Sequence, residues 1–131
     1  MTPPELAEAY VDSSALIAVG FGEANAALVS RRLANFGRLT SSNLLEAEVR
    51  AAFAREGHEF DPGLLAPVRW IFPNRPLVAE ITAVLQAGYL RGADLWHVAN
   101  ALYAARTMPG LAFITLDQRQ QAVASGLGFQ I

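Results

Sequence analysis

The stretch AYVDSSALIAV, residues 9–19, joins an extended run to a helix through one aspartate. Ala9–Val11 is a short apolar run that ends at Asp12, and Ser13–Val19 then reads as a helix. The same arrangement returns near the other end of the chain. Leu111–Leu116 is an apolar run bounded by Pro109–Gly110 and Asp117, so it reads as a buried strand. A helix from Asp117 to about Ser125 follows, then a last strand near Phe129.

Between these ends the pattern keeps alternating. Glu23–Asn35 has helical spacing, and Arg38–Thr40 reads as a short strand. Ser42 is a good N-cap for a helix running to about Glu56, with Gly57 as its stop. Pro62, Pro67, Pro73 and Pro76 punctuate the middle, which reads as one or two short helices separated by turns. Pro76 should open a helix to about Gln86, closed by Gly88. From Asp94, Leu95, Val98, Ala99 and Leu102 follow the i, i+3, i+4, i+7 pattern of an amphipathic helix ending near Arg106. Strands separated by helices imply parallel pairing. The expected fold is therefore α/β, a three-layer sandwich with a central, mainly parallel sheet flanked by helices. No composition break or repeat divides residues 1–131, which read as a single domain.

Composition excludes several alternatives. Hydrophobic residues make up 53% and charged residues 17% of the 131, which is incompatible with disorder or a solvated coiled coil. The absence of cysteine removes a disulfide framework and a zinc finger. MTPPELAEAY lacks the basic-then-apolar pattern of a secretory leader, and no apolar run approaches the roughly 18 residues of a membrane span. A cytoplasmic protein with no membrane association is expected. All ten basic residues are arginine, which rules out a Walker phosphate loop and Schiff-base chemistry. With a net charge of −2, a polyanion would have to bind at a local arginine surface.

Three of the four aspartates fall at element junctions: Asp12, Asp94 and Asp117. Each alone is equally well read as a helix cap, and Gln120 three residues after Asp117 resembles a capping box. Glu48 shifts the balance. Its helical neighbours are Leu44, Leu45, Ala51 and Ala52, so it has no ion-pair partner on its own helix. Glu46 is the control, with Arg50 at i+4 in the favourable order for a surface pair. Glu48 is thus either exposed on a helix edge or aimed at something beyond its helix. If the four acids converge, carboxylates about 4 Å apart repel by about 4 kcal/mol per pair at an effective dielectric of 20. Such a cluster takes up protons or binds a cation, and oxygen-only ligands suit magnesium or manganese. The chemistry that follows is metal-assisted phosphodiester hydrolysis.

YVDSSALI, LTSSNLLEAEVRAA, LRGADLWHVANAL and FITLDQRQQAVASGLGF together resemble the PIN domain, and more narrowly the VapC-type toxins of toxin–antitoxin pairs. The resemblance covers nearly the whole chain in the family's order. It implies a PIN-like fold and a magnesium-dependent endoribonuclease with a four-acid centre, manganese being a possible substitute. Asp12 and Asp94 would be the main metal ligands. Glu48 and Asp117 would complete the pocket directly or through water. The family pattern also places its glutamate just before Val49-Arg50-Ala51, which selects Glu48 over Glu46. The implied partners are an RNA substrate, a cognate antitoxin protein and a second copy in a homodimer. Gly92–Ala93 before Asp94, and Trp96 after it, depart mildly from the family pattern.

Supporting roles are less determined. Thr115 would share a strand face with Asp117, where its hydroxyl orients a carboxylate or water, or else bonds to backbone. Ser13 either caps its own helix or touches the metal's surroundings. His97, three residues after Asp94, reads as a core histidine more readily than as a ligand or base. His58 reads as solvated. Trp70, Phe72 and Trp96 fit a core or subunit interface better than base stacking, and Arg50, Arg55, Arg69, Arg75 and Arg91 read as surface residues able to grip phosphates. A different class of function stays open: a non-catalytic binding module whose acidic pocket accepts an arginine of a protein partner. A receiver-type phosphoacceptor is excluded, because Asp12 has no acidic neighbour and the chain has no lysine.

Overall fold

Four parallel strands lie in the order β3-β2-β1-β4 in the computed structural model, which describes residues 7–131. They are β1 (Glu8–Val11), β2 (Arg38–Ser42), β3 (Val68–Ile71) and β4 (Ala112–Ile114). Among the described residues six α-helices accompany them, five between strands and the last after β4: α1 (Ser13–Gly20), α2 (Ala26–Ala34), α3 (Leu44–Arg55), α4 (Val78–Ala87), α5 (Gly92–Ala105) and α6 (Gln118–Gly126). The expected α/β three-layer sandwich is the observed fold.

Period-2 alternation in the strands sorts side chains into two cores. Ala9, Val11, Ala112 and Ile114 pack with Leu16, Val29, Leu45 and Phe53 from α1, α2 and α3. Tyr10 and Phe113 point the other way, to Val84, Val98, Ala101 and Val123 from α4, α5 and α6. Both faces of β1 are thus buried, which is why its sequence is apolar throughout rather than alternating. Tyr10 and Phe113 are register partners whose rings stack at 5.3 Å.

The strand order reverses beside β1. The chain leaves β1 towards β2, whereas β4 pairs on the opposite side of β1 after a crossover through α4 and α5. Such a reversal opens a crevice at the carboxyl ends of the two strands, the usual ligand position in open α/β sheets. Asp12 and Thr115 stand at those two ends, each one residue past its strand.

Several boundaries differ from the sequence reading. The segment between Pro62 and Pro73 holds one 3-10 turn (Pro62–Leu64) and then strand β3, not only helices. Among the described residues β3 pairs only with β2, and Arg69 faces solvent, so this edge strand carries a weak apolar signal. β2 runs on through Ser41 to Ser42, because Thr40 and Ser41 find acceptors in the carbonyls of Arg69 and Val11. Asn43 therefore takes the cap position of α3, although the Ser42 hydroxyl still accepts the Leu44 amide at 3.1 Å. α3 ends as expected: Gly57 has a φ of 68°, and the amide of His58 closes on the carbonyl of Phe53. α2 starts at Ala26, and α4 starts two residues beyond Pro76. The strand expected near Phe129 is a single bridge between Ala112 and Gln130. The stretch read for a leader lies partly outside the described residues. No described helix is long and apolar enough to cross a membrane.

Candidate metal centre

Asp12 is 3% exposed and caps α1, its Oδ2 accepting the Ser14 amide at 3.2 Å. Cap and site readings therefore coexist in one side chain. One oxygen closes the helix while the other, Oδ1, is buried and makes no hydrogen bond. A buried carboxylate oxygen without a donor is costly unless a cation or proton meets it. Glu48 approaches from the second turn of α3, and His97 from the second turn of α5. Ligand atoms of Asp12, Glu48 and His97 lie within 4.8 Å of one another.

His97 is fully buried, with Nε2 2.5 Å from Glu48 Oε1, 3.8 Å from Asp12 Oδ1, and Nδ1 2.6 Å from the Tyr10 hydroxyl. In the sequence His97 reads as core more readily than as a ligand or base, and Tyr10 carries no site reading. One signal was present for each. His97 shares a helical face with Asp94, and a tyrosine in a three-residue apolar run needs a buried partner for its hydroxyl. Glu46, by contrast, pairs with Arg50 at 3.0 Å on the surface, as its spacing indicates.

Asp94 and Asp117 are not in that group of atoms. They line an adjoining pocket of about 340 Å³ together with Leu90, Arg91 and Arg119. Asp94 sits in the first turn of α5, and Asp117 caps α6 through the Gln120 amide at 2.8 Å. Burial raises the Asp94 carboxyl above its ordinary range, and repulsion from Asp12, Asp117 and Glu48 raises it further. The other three acids thus all act on Asp94.

A hydroxyl network ties the two parts together. Thr115 Oγ1 lies 3.1 Å from Asp12 Oδ2 and 2.7 Å from Gln120 Oε1, and it accepts the Asp117 amide at 3.1 Å. It thus reaches both a carboxylate and backbone, although β4 stops one residue before it. The serine that joins this network is Ser14, not Ser13: its hydroxyl lies 3.2 Å from Thr115 Oγ1 and accepts the Leu116 amide at 2.9 Å. Gln120, fully buried, donates Nε2–H to the Asp94 carbonyl at 3.2 Å. Trp96 is half-buried and donates its indole N–H to Ser42 Oγ at 3.1 Å. Phe72 is 67% exposed. Of the arginines, Arg75 is committed to Glu80 through two hydrogen bonds of 3.0 and 2.6 Å, while Arg91 faces the acidic pocket.

The residues present fit a divalent cation: an orphaned buried carboxylate oxygen, a second carboxylate within reach, and two further acids that raise the local negative potential. Fold and site define a parallel α/β protein with an acidic, oxygen-rich centre at the switch point of its sheet. The PIN domain family matches residues 9–126, and the chain belongs to that family. PIN domains are generally nucleases and usually use divalent metal ions. No curated protein and no solved structure gives a significant match to the chain.

Proposed function

We propose that this chain is a magnesium-dependent endoribonuclease of the VapC type, the toxin of a toxin–antitoxin pair. The observation that carries the reading is the buried, unpartnered Oδ1 of Asp12 beside Glu48 and the electrostatically coupled Asp94. Asp12 and Asp94 would hold the metal, with Glu48 and Asp117 binding directly or through water. Bound there, magnesium supplies charge neutralisation at the scissile phosphate and a more acidic water. Thr115 orients Asp12, and Arg91 and Arg119 at the pocket's edge offer cationic contacts to the RNA backbone. The whole chain would act as one domain, in a homodimer, in the cytoplasm, and be held inactive by an antitoxin protein.

Cleavage of single-stranded RNA by the purified protein, with magnesium or manganese and with chelator, tests the reading. Asp94→Asn runs beside it to expose contaminating nuclease. Metal-dependent cleavage that disappears in the variant is the expected result. A protein that neither binds magnesium nor cleaves RNA, yet binds an arginine-bearing peptide, would instead be a binding module.

A further inference from the structure

Both nitrogens of the buried His97 ring are engaged, and the two sides are unequal. On one side the Tyr10 hydroxyl stands 2.6 Å from Nδ1; on the other Glu48 Oε1 stands 2.5 Å from Nε2. Two roles compete for Nε2: its lone pair could ligate a cation, or its proton could serve Glu48. Tyr10 decides between them. Its oxygen already accepts the Ser42 amide at 3.1 Å, which leaves the phenol O–H as a donor. Of the two hydrogen-bond partners of that hydroxyl, the Ser42 amide is a donor, so the proton goes to His97 Nδ1. An imidazole that accepts at Nδ1 carries its own proton at Nε2, where it donates to a carboxylate and has no lone pair for a metal. Tyr10 itself is fixed, flat against Phe113 with 4° between the ring planes and fully buried.

We infer that His97 is a positioning residue and not a metal ligand: Tyr10 sets its tautomer, and Nε2–H holds Glu48 beside Asp12 for one divalent cation. The inference rests on the metal-dependent function proposed above. Groups that orient a metal's carboxylates are commonly worth about 10–100-fold in metal affinity.

Nitrogen-15 spectra of the imidazole read the tautomer directly. The chain has two histidines, so His58→Gln leaves one ring to observe. The expected result is an Nε2-protonated His97 whose pattern persists at saturating magnesium. A ring protonated at Nδ1 alone, or one that gives up its Nε2 proton when magnesium binds, overturns the inference. Calorimetric magnesium titration supplies a second readout, with circular dichroism reporting the fold. His97→Leu should weaken binding roughly 10–100-fold, and His97→Gln, which keeps an N–H donor, should recover part of the loss. Unchanged affinity in a folded His97→Leu overturns the inference. Should that variant not fold, Tyr10→Phe replaces it. Loss of a single tautomer there supports the role of Tyr10, and the same pure tautomer overturns it. Wild-type protein that binds no magnesium brings down the metal-centre reading itself. Magnesium binding with a deprotonated Nε2 brings down this inference alone.

Discussion

The hydroxyl of Thr115 lies 3.1 Å from Oδ2 of Asp12, although 103 residues separate them in the chain. That hydrogen bond joins the carboxyl ends of β1 and β4, the neighbouring strands at which the sheet order reverses. It also takes up only one of the two Asp12 oxygens and leaves Oδ1 bare.

Thr115→Val keeps the branched shape but removes that hydroxyl. The Asp117 amide then loses its acceptor, and Asp12 Oδ2 and Gln120 Oε1 lose the one hydroxyl proton they share. Leaving buried polar groups unpaired costs about 1–3 kcal/mol, so urea denaturation should show a loss of that order. Cleavage should fall as well, because no hydroxyl then holds Asp12 from the β4 side.

Asp94→Asn should separate activity from stability. Burial and three neighbouring acids raise the Asp94 carboxyl, so the native state holds that proton more tightly than the unfolded chain does. The corresponding stability is fully present below the unfolded-state pKa and is lost as pH rises through the raised one. In metal-free buffer at neutral pH the ionised group is therefore a burden. Thermal denaturation of Asp94→Asn should show a higher midpoint than wild type there, while RNA cleavage is abolished. A lower midpoint at neutral pH would contradict the raised carboxyl.

The Arg75–Glu80 pair predicts the opposite pH response. Two hydrogen bonds from Arg75 hold the Glu80 carboxyl below its ordinary range. Its contribution is present above the unfolded-state pKa and is lost as pH falls through the depressed one. Glu80→Gln should therefore lower stability at neutral pH and flatten the acid limb of the stability profile, measured by denaturant melts from neutral pH downwards.

Gly20 marks a close packing point remote from the acids. A Cβ there would stand 2.6 Å from Cζ of Phe53 and 2.9 Å from Cδ2 of Leu64. Phe53 is buried in the core of α1, α2 and α3, so it cannot swing away freely. Gly20→Ala should cost about 1–3 kcal/mol by overpacking and leave magnesium affinity unchanged, as denaturation and calorimetry would show.

Arg91 and Arg119 line the same pocket as Asp94 and Asp117. Replacing either with alanine should raise KM for RNA more than it lowers kcat. The dependence of binding on salt should become shallower by about one unit of slope for each phosphate that is no longer neutralised.

The sequence by itself determined the α/β class, and it singled out Asp12, Glu48, Asp94 and Asp117. Buried strands flanked by breakers announce themselves as apolar runs, as in Ala9–Val11 and Leu111–Leu116. A carboxylate with only apolar helical neighbours, Glu48, stands out against Glu46 with its arginine. What depends on contacts between distant segments was out of reach. β3 stayed hidden because an edge strand needs only one apolar face, and VRWI between prolines carries too little of it. Thr40, Ser41 and Ser42 looked like a strand end and a helix cap, yet all three lie buried in β2. Ser14 entered the network in preference to Ser13 because the turn after Asp12 aims its hydroxyl at Thr115. The tertiary structure alone decided the place of His97. A lone histidine on an apolar helix face is indistinguishable from core until the strand bearing Tyr10 and the helix bearing Glu48 close on its two nitrogens. Polar partners, unlike hydrophobic periodicity, leave no periodic trace along the chain.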